Sequence, residues 1–230
     1  MQSSLNFSES EKKAIIAFLK KFPALELKTV FEEARAEIDG CVVTLYKSGK
    51  LLIQGKNSEA AKKRILSAIG GKSELILGID EVGRGESFGP FVVAGVLGET
   101  AKLREFRDSK KTANIAEKAL LVEKNVLGRK ILEIRAGKID ELRRSGKNLN
   151  QIEADAINEI ILFFEKKFSG QKFGIVIDGS RIRGIENSKA VFLPKADDKV
   201  VQAAAASILA KNARNNSPDR QERKTWKKRA

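Results

Sequence analysis

The chain has 230 residues, 42% of them hydrophobic, which suits one large or two small domains with real cores and argues against a wholly disordered chain. Lys and Arg outnumber Asp and Glu by 44 to 30, and the resulting charge of +14 points to a polyanionic partner, nucleic acid before membrane; a lysine-rich solubility surface or thermophile composition gives the same balance. With no histidine and one cysteine, Cys41, the chain excludes a Ser-His-Asp triad, a His-ligated zinc, a histidine base and an intrachain disulfide framework, so catalysis must rest on carboxylates, lysines or metals.

The first residues, Met1-Gln-Ser-Ser-Leu-Asn-Phe7, lack a signal-peptide core, and no apolar run reaches membrane-span length, so the expected location is cytoplasmic with no membrane partner. Ser8-Glu-Ser-Glu11 opens a predicted helix with a cap and an acidic first turn, Ile15, Phe18 and Leu19 form its apolar face, and Pro23 closes it. The pattern is strand-like from Lys28 to Asp39 and from Cys41 to Tyr46. Lys47-Ser-Gly-Lys50 reads as a tight turn and Leu51 to Gln54 as a returning strand. Asn57-Ser58 caps a second helix in which Ala61, Ile65, Leu66 and Ile69 recur at helical spacing. Residues 1–72 thus read as a small α+β module, and Ser67 to Glu74 as its linker to residues 73–230. The module carries 13 basic against 8 acidic residues, a charge of +5. Tyr46, Lys47 and Lys50 around its hairpin suit stacking on and pairing with a nucleic-acid backbone; they equally suit a solvated turn.

The stretch Leu75-Ile-Leu-Gly-Ile-Asp80-Glu81-Val-Gly83-Arg84-Gly85-Glu-Ser-Phe-Gly89-Pro90-Phe91 organises the rest. An apolar strand ends on two adjacent acids, a glycine-rich turn follows, and a second apolar run extends from Phe91 to Leu97. Acids commonly close strands, but a buried carboxylate pair is costly unless protons or cations compensate it. Gly83 and Gly85 let backbone amides approach a ligand, and Arg84 offers a phosphate-shaped fork between them. Arg107-Asp108-Ser109-Lys110-Lys111 lies in a polar loop before a helix from about Ile115 to Val126, and its hydroxyl and lysines suit a phosphate or a helix start. Lys130 to Arg135 reads as a strand. A long helix begins near Asn150, with Ile152, Ala156, Ile160, Ile161 and Phe164 as a stripe read as core only. Phe173 to Ile177 is another buried strand, ending on Asp178-Gly179. Leu193-Pro-Lys195-Ala-Asp197-Asp198 then leads into an alanine-rich helix, where the acids complement the helix dipole.

The long string around Asp80 and Glu81 resembles the signature of the type 2 ribonucleases H, the ribonuclease HII and HIII families. Ser109-Lys110 is similar to the family's substrate-backbone segment, and Asp178-Gly179 and Lys195-Ala-Asp197 to its remaining motifs. Val43 to Gly55 is similar to the N-terminal module of ribonuclease HIII, which ribonuclease HII lacks. The resemblance implies an α/β fold with a ribonuclease H-like mixed sheet flanked by helices, preceded by a small TATA-binding-protein-like α+β domain that binds substrate. It implies Asp80, Glu81, Asp178 and Asp197 as catalytic and metal-holding residues, with Asp198 as the adjacent alternative to Asp197. Gly83, Arg84, Gly85, Ser109 and Lys110 would contact substrate.

Oxygen-only ligands favour Mg²⁺ or Mn²⁺, and two such ions suit in-line phosphoryl displacement, here leaving 5′-phosphate and 3′-hydroxyl ends. The implied partner is an RNA/DNA hybrid and the implied reaction endonucleolytic cleavage of its RNA strand by a monomer. Ribonuclease HII places a catalytic-domain tyrosine at ribo–deoxyribo junctions; the only tyrosine here, Tyr46, is in the N-terminal module. That, with Phe88-Gly89-Pro90, favours ribonuclease HIII-type cleavage over incision at single embedded ribonucleotides, although the Asp178 and Asp197 motifs look more HII-like. A non-catalytic nucleic-acid-binding protein and a junction resolvase on the same fold are the other readings. The resemblance covers residues 1–215; family members usually run further. Lys211 to Ala230, with eight basic and two acidic residues, is expected to be a basic tail that grips a backbone or is solvated.

Overall fold

The computed structural model describes residues 2–7, 9–68, 74–100, 102–103 and 114–226. The chain divides into two units, Met1–Ser73 and Glu74–Ala230. Among the described residues no helix is long and apolar enough to cross a membrane.

The first unit is a four-stranded antiparallel sheet ordered β1-β4-β3-β2, with β1 at Gln2–Asn6, β2 at Glu32–Ile38, β3 at Cys41–Tyr46 and β4 at Lys50–Gln54. Two helices, α1 (Glu9–Leu19) and α2 (Ser58–Ala68), cover one face. Strand alternation sends Cys41, Val43, Leu45, Leu51 and Ile53 inward to meet Ile15, Leu19, Ala61 and Ile65, all of them buried. The sequence pattern does not announce β1. Its only large apolar side chain facing the core is Leu5, and its other residues through Ser4 are small or polar, so it has no run to read. The strand-like pattern from Lys28 is shorter than expected, because Thr29 to Glu32 forms a turn closed by the Glu32 backbone amide on the Thr29 carbonyl.

In the second unit a mixed sheet runs β7-β6-β5-β8-β9. Its strands are β5 (Leu75–Val82), β6 (Phe91–Glu99), β7 (Gly128–Ile134), β8 (Gly174–Asp178) and β9 (Ala190–Leu193). β5, β6 and β7 form an antiparallel meander, while β8 and β9 continue parallel to β5. Helices α3 (Ile115–Asn125) and α7 (Val201–Asn216) pack one face; α4 (Ala136–Arg144) and α5 (Leu149–Lys167) pack the other. This is the expected mixed sheet between helices. Buried on both faces, β6 carries an unbroken apolar run instead of alternation. Glycine sets the closest approach. A Cβ on Gly78 would lie 2.3 Å from the Ala203 amide nitrogen, so the α7 backbone rests directly on β5.

The acids at Asp197 and Asp198 do not open the alanine-rich helix. They lie on α6, a single turn from Ala196 to Lys199, and Val200 in extended conformation (φ −116°) separates it from α7. Lys195 precedes it in the left-handed region at φ 57°. The expected tail also differs. Ser217 to Trp226 folds back on other parts of the second unit, with Arg223 only 1% exposed. Its guanidinium donates to the Gly89 carbonyl (2.9 Å), while Asp140 accepts from the Lys224 and Thr225 amides. A basic stretch is held here by buried carbonyls and an acid and is not a solvated tail.

Candidate active site

β5 and β8 are parallel neighbours with Ile79 opposite Ile177, so the next residues, Asp80 and Asp178, stand side by side at the carboxyl edge. Neighbouring strands are about 4.8 Å apart, and matched positions face the same way. This edge of an open α/β sheet is where such folds form ligand sites. Beyond β9 the chain returns through Ala196, whose amide donates to Asp178 Oδ1 at 2.5 Å. Asp197 is therefore tethered next to that edge, half-buried, whereas Asp198 is exposed.

Asp80 is 6% exposed. It faces α7 with Gly78, and Ser207 on that helix donates a hydroxyl hydrogen bond to it. Lys211 one turn on donates to Ser207 Oγ at 2.8 Å. Asp80 Oδ1 also accepts from the Glu81 amide at 2.8 Å. Burial, with the charge of Asp178 added, still raises the Asp80 proton affinity above the usual carboxylate range.

Glu81 points to the opposite face, toward α5. Burial first, then the charges of Glu153 and Asp80 and a hydrogen bond shared with Asp80, push its pKa up to about 8. Strand alternation would separate these two acids; because β5 ends at Val82, they meet at its rim. Arg84 Nε donates to Glu153 Oε2 at 2.6 Å, and the same guanidinium donates to Asn150. Gly83 needs its positive φ of 80°, and a Cβ there would strike Arg214 and the Pro90 carbonyl; Gly85 faces open space. Of the two glycines, Gly83 is thus explained by packing, and Gly85 leaves room for a ligand.

Asp80, Glu81 and Asp178 come together, and Asp197 lies beside them through its neighbour Ala196. Tyr46 and Lys50 share the face of the first unit's sheet away from its helices, and Lys47 sits in the adjoining turn. Ser109 and Lys110 lie outside the described residues. Glu153, on the helix whose apolar stripe reads as core only, is the acid that sequence reasoning missed; its signal was a charge embedded among Ile152, Ala156, Ile157 and Ile160. Ser207 was the lone hydroxyl within an alanine run.

The donor set is all oxygen, and among the described residues no cation partner holds Asp80 and Glu81 ionised, which fits a divalent metal. Among the described residues no group of three or more Asp, Glu or Cys side chains is arranged to hold a metal ion. When bound, Mg²⁺ or Mn²⁺ would supply charge stabilisation and an activated nucleophile. Asp80, Glu81 and Asp178 would hold it, with Asp197 adjacent.

Residues 77–229 match the family model described as Ribonuclease HII, and residues 5–68 one described as Domain of unknown function (DUF3378). The family match runs through residue 229, so the C-terminal segment belongs to it, contrary to the expected end near residue 215. Ribonuclease HIII of Bacillus velezensis is 31% identical over 82% of this chain and 71% of its own length. Ribonuclease HII of Francisella tularensis subsp. holarctica is 35% identical over 62% of this chain and 72% of its own length. Among solved structures, Bst ribonuclease HIII in complex with Mn²⁺ is 23% identical at a TM-score of 0.59, covering 94% of this chain and 81% of that one. RNase H3 of Aquifex aeolicus is 26% identical at 0.51, covering 93% and 84%. With the catalytic unit matched almost end to end and the acids at its sheet edge, the chain belongs to the type 2 ribonuclease H family, the ribonucleases HII and HIII.

Proposed function

We propose that the protein is a divalent-metal-dependent endoribonuclease that hydrolyses the RNA strand of RNA/DNA hybrids, leaving 5′-phosphate and 3′-hydroxyl ends. The observation that carries this reading is the edge-to-edge set Asp80, Glu81 and Asp178, two of them with raised proton affinity inside a protein of charge +14. Such acids repel a phosphodiester until cations intervene, and two ions about 4 Å apart suit the displacement. Asp80, Glu81, Asp178 and Asp197 hold the cations. Ser207 orients Asp80, and Glu153 holds Arg84 over the turn, where Gly83, Arg84 and Gly85 read the 2′-hydroxyl-bearing strand. Ser109 and Lys110 contact its backbone. The first unit, through Tyr46, Lys47 and Lys50, binds the backbone of the hybrid.

Similarity to a ribonuclease HIII extends over both units, whereas the ribonuclease HII match covers 62% of the chain. The only tyrosine lies outside the catalytic unit. The reading is therefore cleavage within ribonucleotide runs and weak action on a single embedded ribonucleotide. A gel comparing those two substrates with Mg²⁺ or Mn²⁺, for the parent protein and Asp80→Asn, tests it. The parent should cut the hybrid at least tenfold faster than the single-ribonucleotide duplex, and Asp80→Asn should cut neither. Equal cleavage by the variant refutes the nuclease reading, and equal cleavage of both substrates refutes the specificity.

A further inference from the structure

A cavity of about 550 Å³ opens beside the candidate active site, lined by Asn148, Asn150, Gln151, Arg181, Ile182 and Arg183. Its walls belong to the two elements that carry site acids. One is the start of α5, which carries Glu153; the other is the loop after β8, which ends on Asp178. Asn150 accepts a hydrogen bond from Arg84, and Arg84 pairs with Glu153, which faces Glu81. The cavity is thus one side-chain layer from the reacting edge.

Its chemistry is one-sided. No acid is among its lining residues. Arg181 and Arg183 are exposed, three and five residues beyond Asp178, and among the described residues neither makes an ion pair or hydrogen bond. Several cations elsewhere in this unit are paired, as Lys147 is with Asp155 and Arg129 with Glu123. The backbone amides at the start of α5 are not what makes the site: Asn148 and Gln151 already satisfy each other in a capping box. What remains is two uncompensated guanidinium forks facing side-chain amides, a donor-rich surface that suits the oxygens of a phosphodiester.

We infer that this cavity is a phosphate subsite, in which Arg181 and Arg183 hold a backbone phosphate of the nucleic acid next along the strand from the one being cleaved. The inference rests on the nuclease reading for the identity of the strand. It gives the loop after β8 a positioning role: a phosphate fixed at the cavity sets which neighbour reaches Asp80 and Asp178.

The test is binding of a fluorescent RNA/DNA hybrid to the full chain in EDTA, titrated between about 50 and 200 mM salt. Removing one phosphate-neutralising cation makes the slope of log affinity against log salt shallower by roughly one. The double variant Arg181→Ala/Arg183→Ala should bind about tenfold more weakly at the lowest salt, with a slope shallower by about one to two. Arg181→Lys/Arg183→Lys should restore the slope, and both variants should melt with the parent. An alanine variant with the parent's slope overturns the subsite, whether or not its affinity falls. The two failures separate. A parent that binds with a steep slope but cuts nothing in Mn²⁺ sinks the nuclease reading and leaves the subsite; a parent that cuts, with an unchanged slope in the variant, sinks the subsite alone.

Discussion

Replacing Glu81 by glutamine should make the metal-free protein more stable, not less, above neutral pH. Glu81 has a pKa near 8 in the folded protein against 4.5 when free, because burial and the charges of Glu153 and Asp80 disfavour its ionised form. The folded state therefore binds the proton more tightly than the unfolded chain. Its stabilising contribution is fully present below the unfolded value and is lost as pH rises from about 4.5 to about 8. At about 1.4 kcal/mol per pH unit, the accumulated loss by pH 7 would be about 3.5 kcal/mol, and solvent access at the sheet rim reduces it to about 1–2 kcal/mol. Glutamine keeps the shape and never ionises. Thermal melts of EDTA-treated protein at pH 5 and pH 8 give the comparison. The parent should lose about 2–8 °C relative to Glu81→Gln across that range, using about 2–4 °C per kcal/mol for a domain of this size. Mn²⁺ should narrow the gap by favouring the ionised acid. A variant that is less stable than the parent at pH 8, or a parent that gains stability with pH, refutes the argument.

Gly78→Ala should destabilise the catalytic unit by about 2–4 kcal/mol, since its Cβ meets the backbone of α7 and not a flexible side chain; a denaturant melt checks it, and activity should fall as Ser207 shifts off Asp80. Arg223→Ala should cost about 2–3 kcal/mol by leaving the Gly89 carbonyl without its donor. It should also loosen the Gly83 to Pro90 turn, read as faster amide exchange at Gly89, whose amide is bonded to Gln221. Unchanged exchange there would contradict the clamp.

What was legible in the sequence was what repeats or is abrupt. Continuous apolar runs marked β5, β6 and β8, helical spacing marked α2 and α5, and acids at strand ends marked Asp80, Glu81 and Asp178. What was not legible depends on partners far along the chain. Glu153 drew no notice in the sequence, because nothing local shows that Glu81 and Arg84, 72 and 69 residues away, meet it. Lys211 to Ala230 looked like a tail because eight cations near the end of a chain usually meet water, and Asp140 and the Gly89 carbonyl, which hold Ser217 to Trp226, are distant in sequence. Strand β9 was hidden because its Ala190 to Leu193 is short and half-exposed. The break at Val200 has no Gly or Pro to announce it.

The most direct measurement is calorimetric titration of Mn²⁺ into the metal-free parent, Asp80→Asn and Asp178→Asn. The parent should bind and release protons at pH 7, since cation and proton compete for Glu81, and each variant should bind at least about tenfold more weakly. Equal affinity in all three proteins, or binding with no proton release, would contradict a cation held by the acids at this sheet edge.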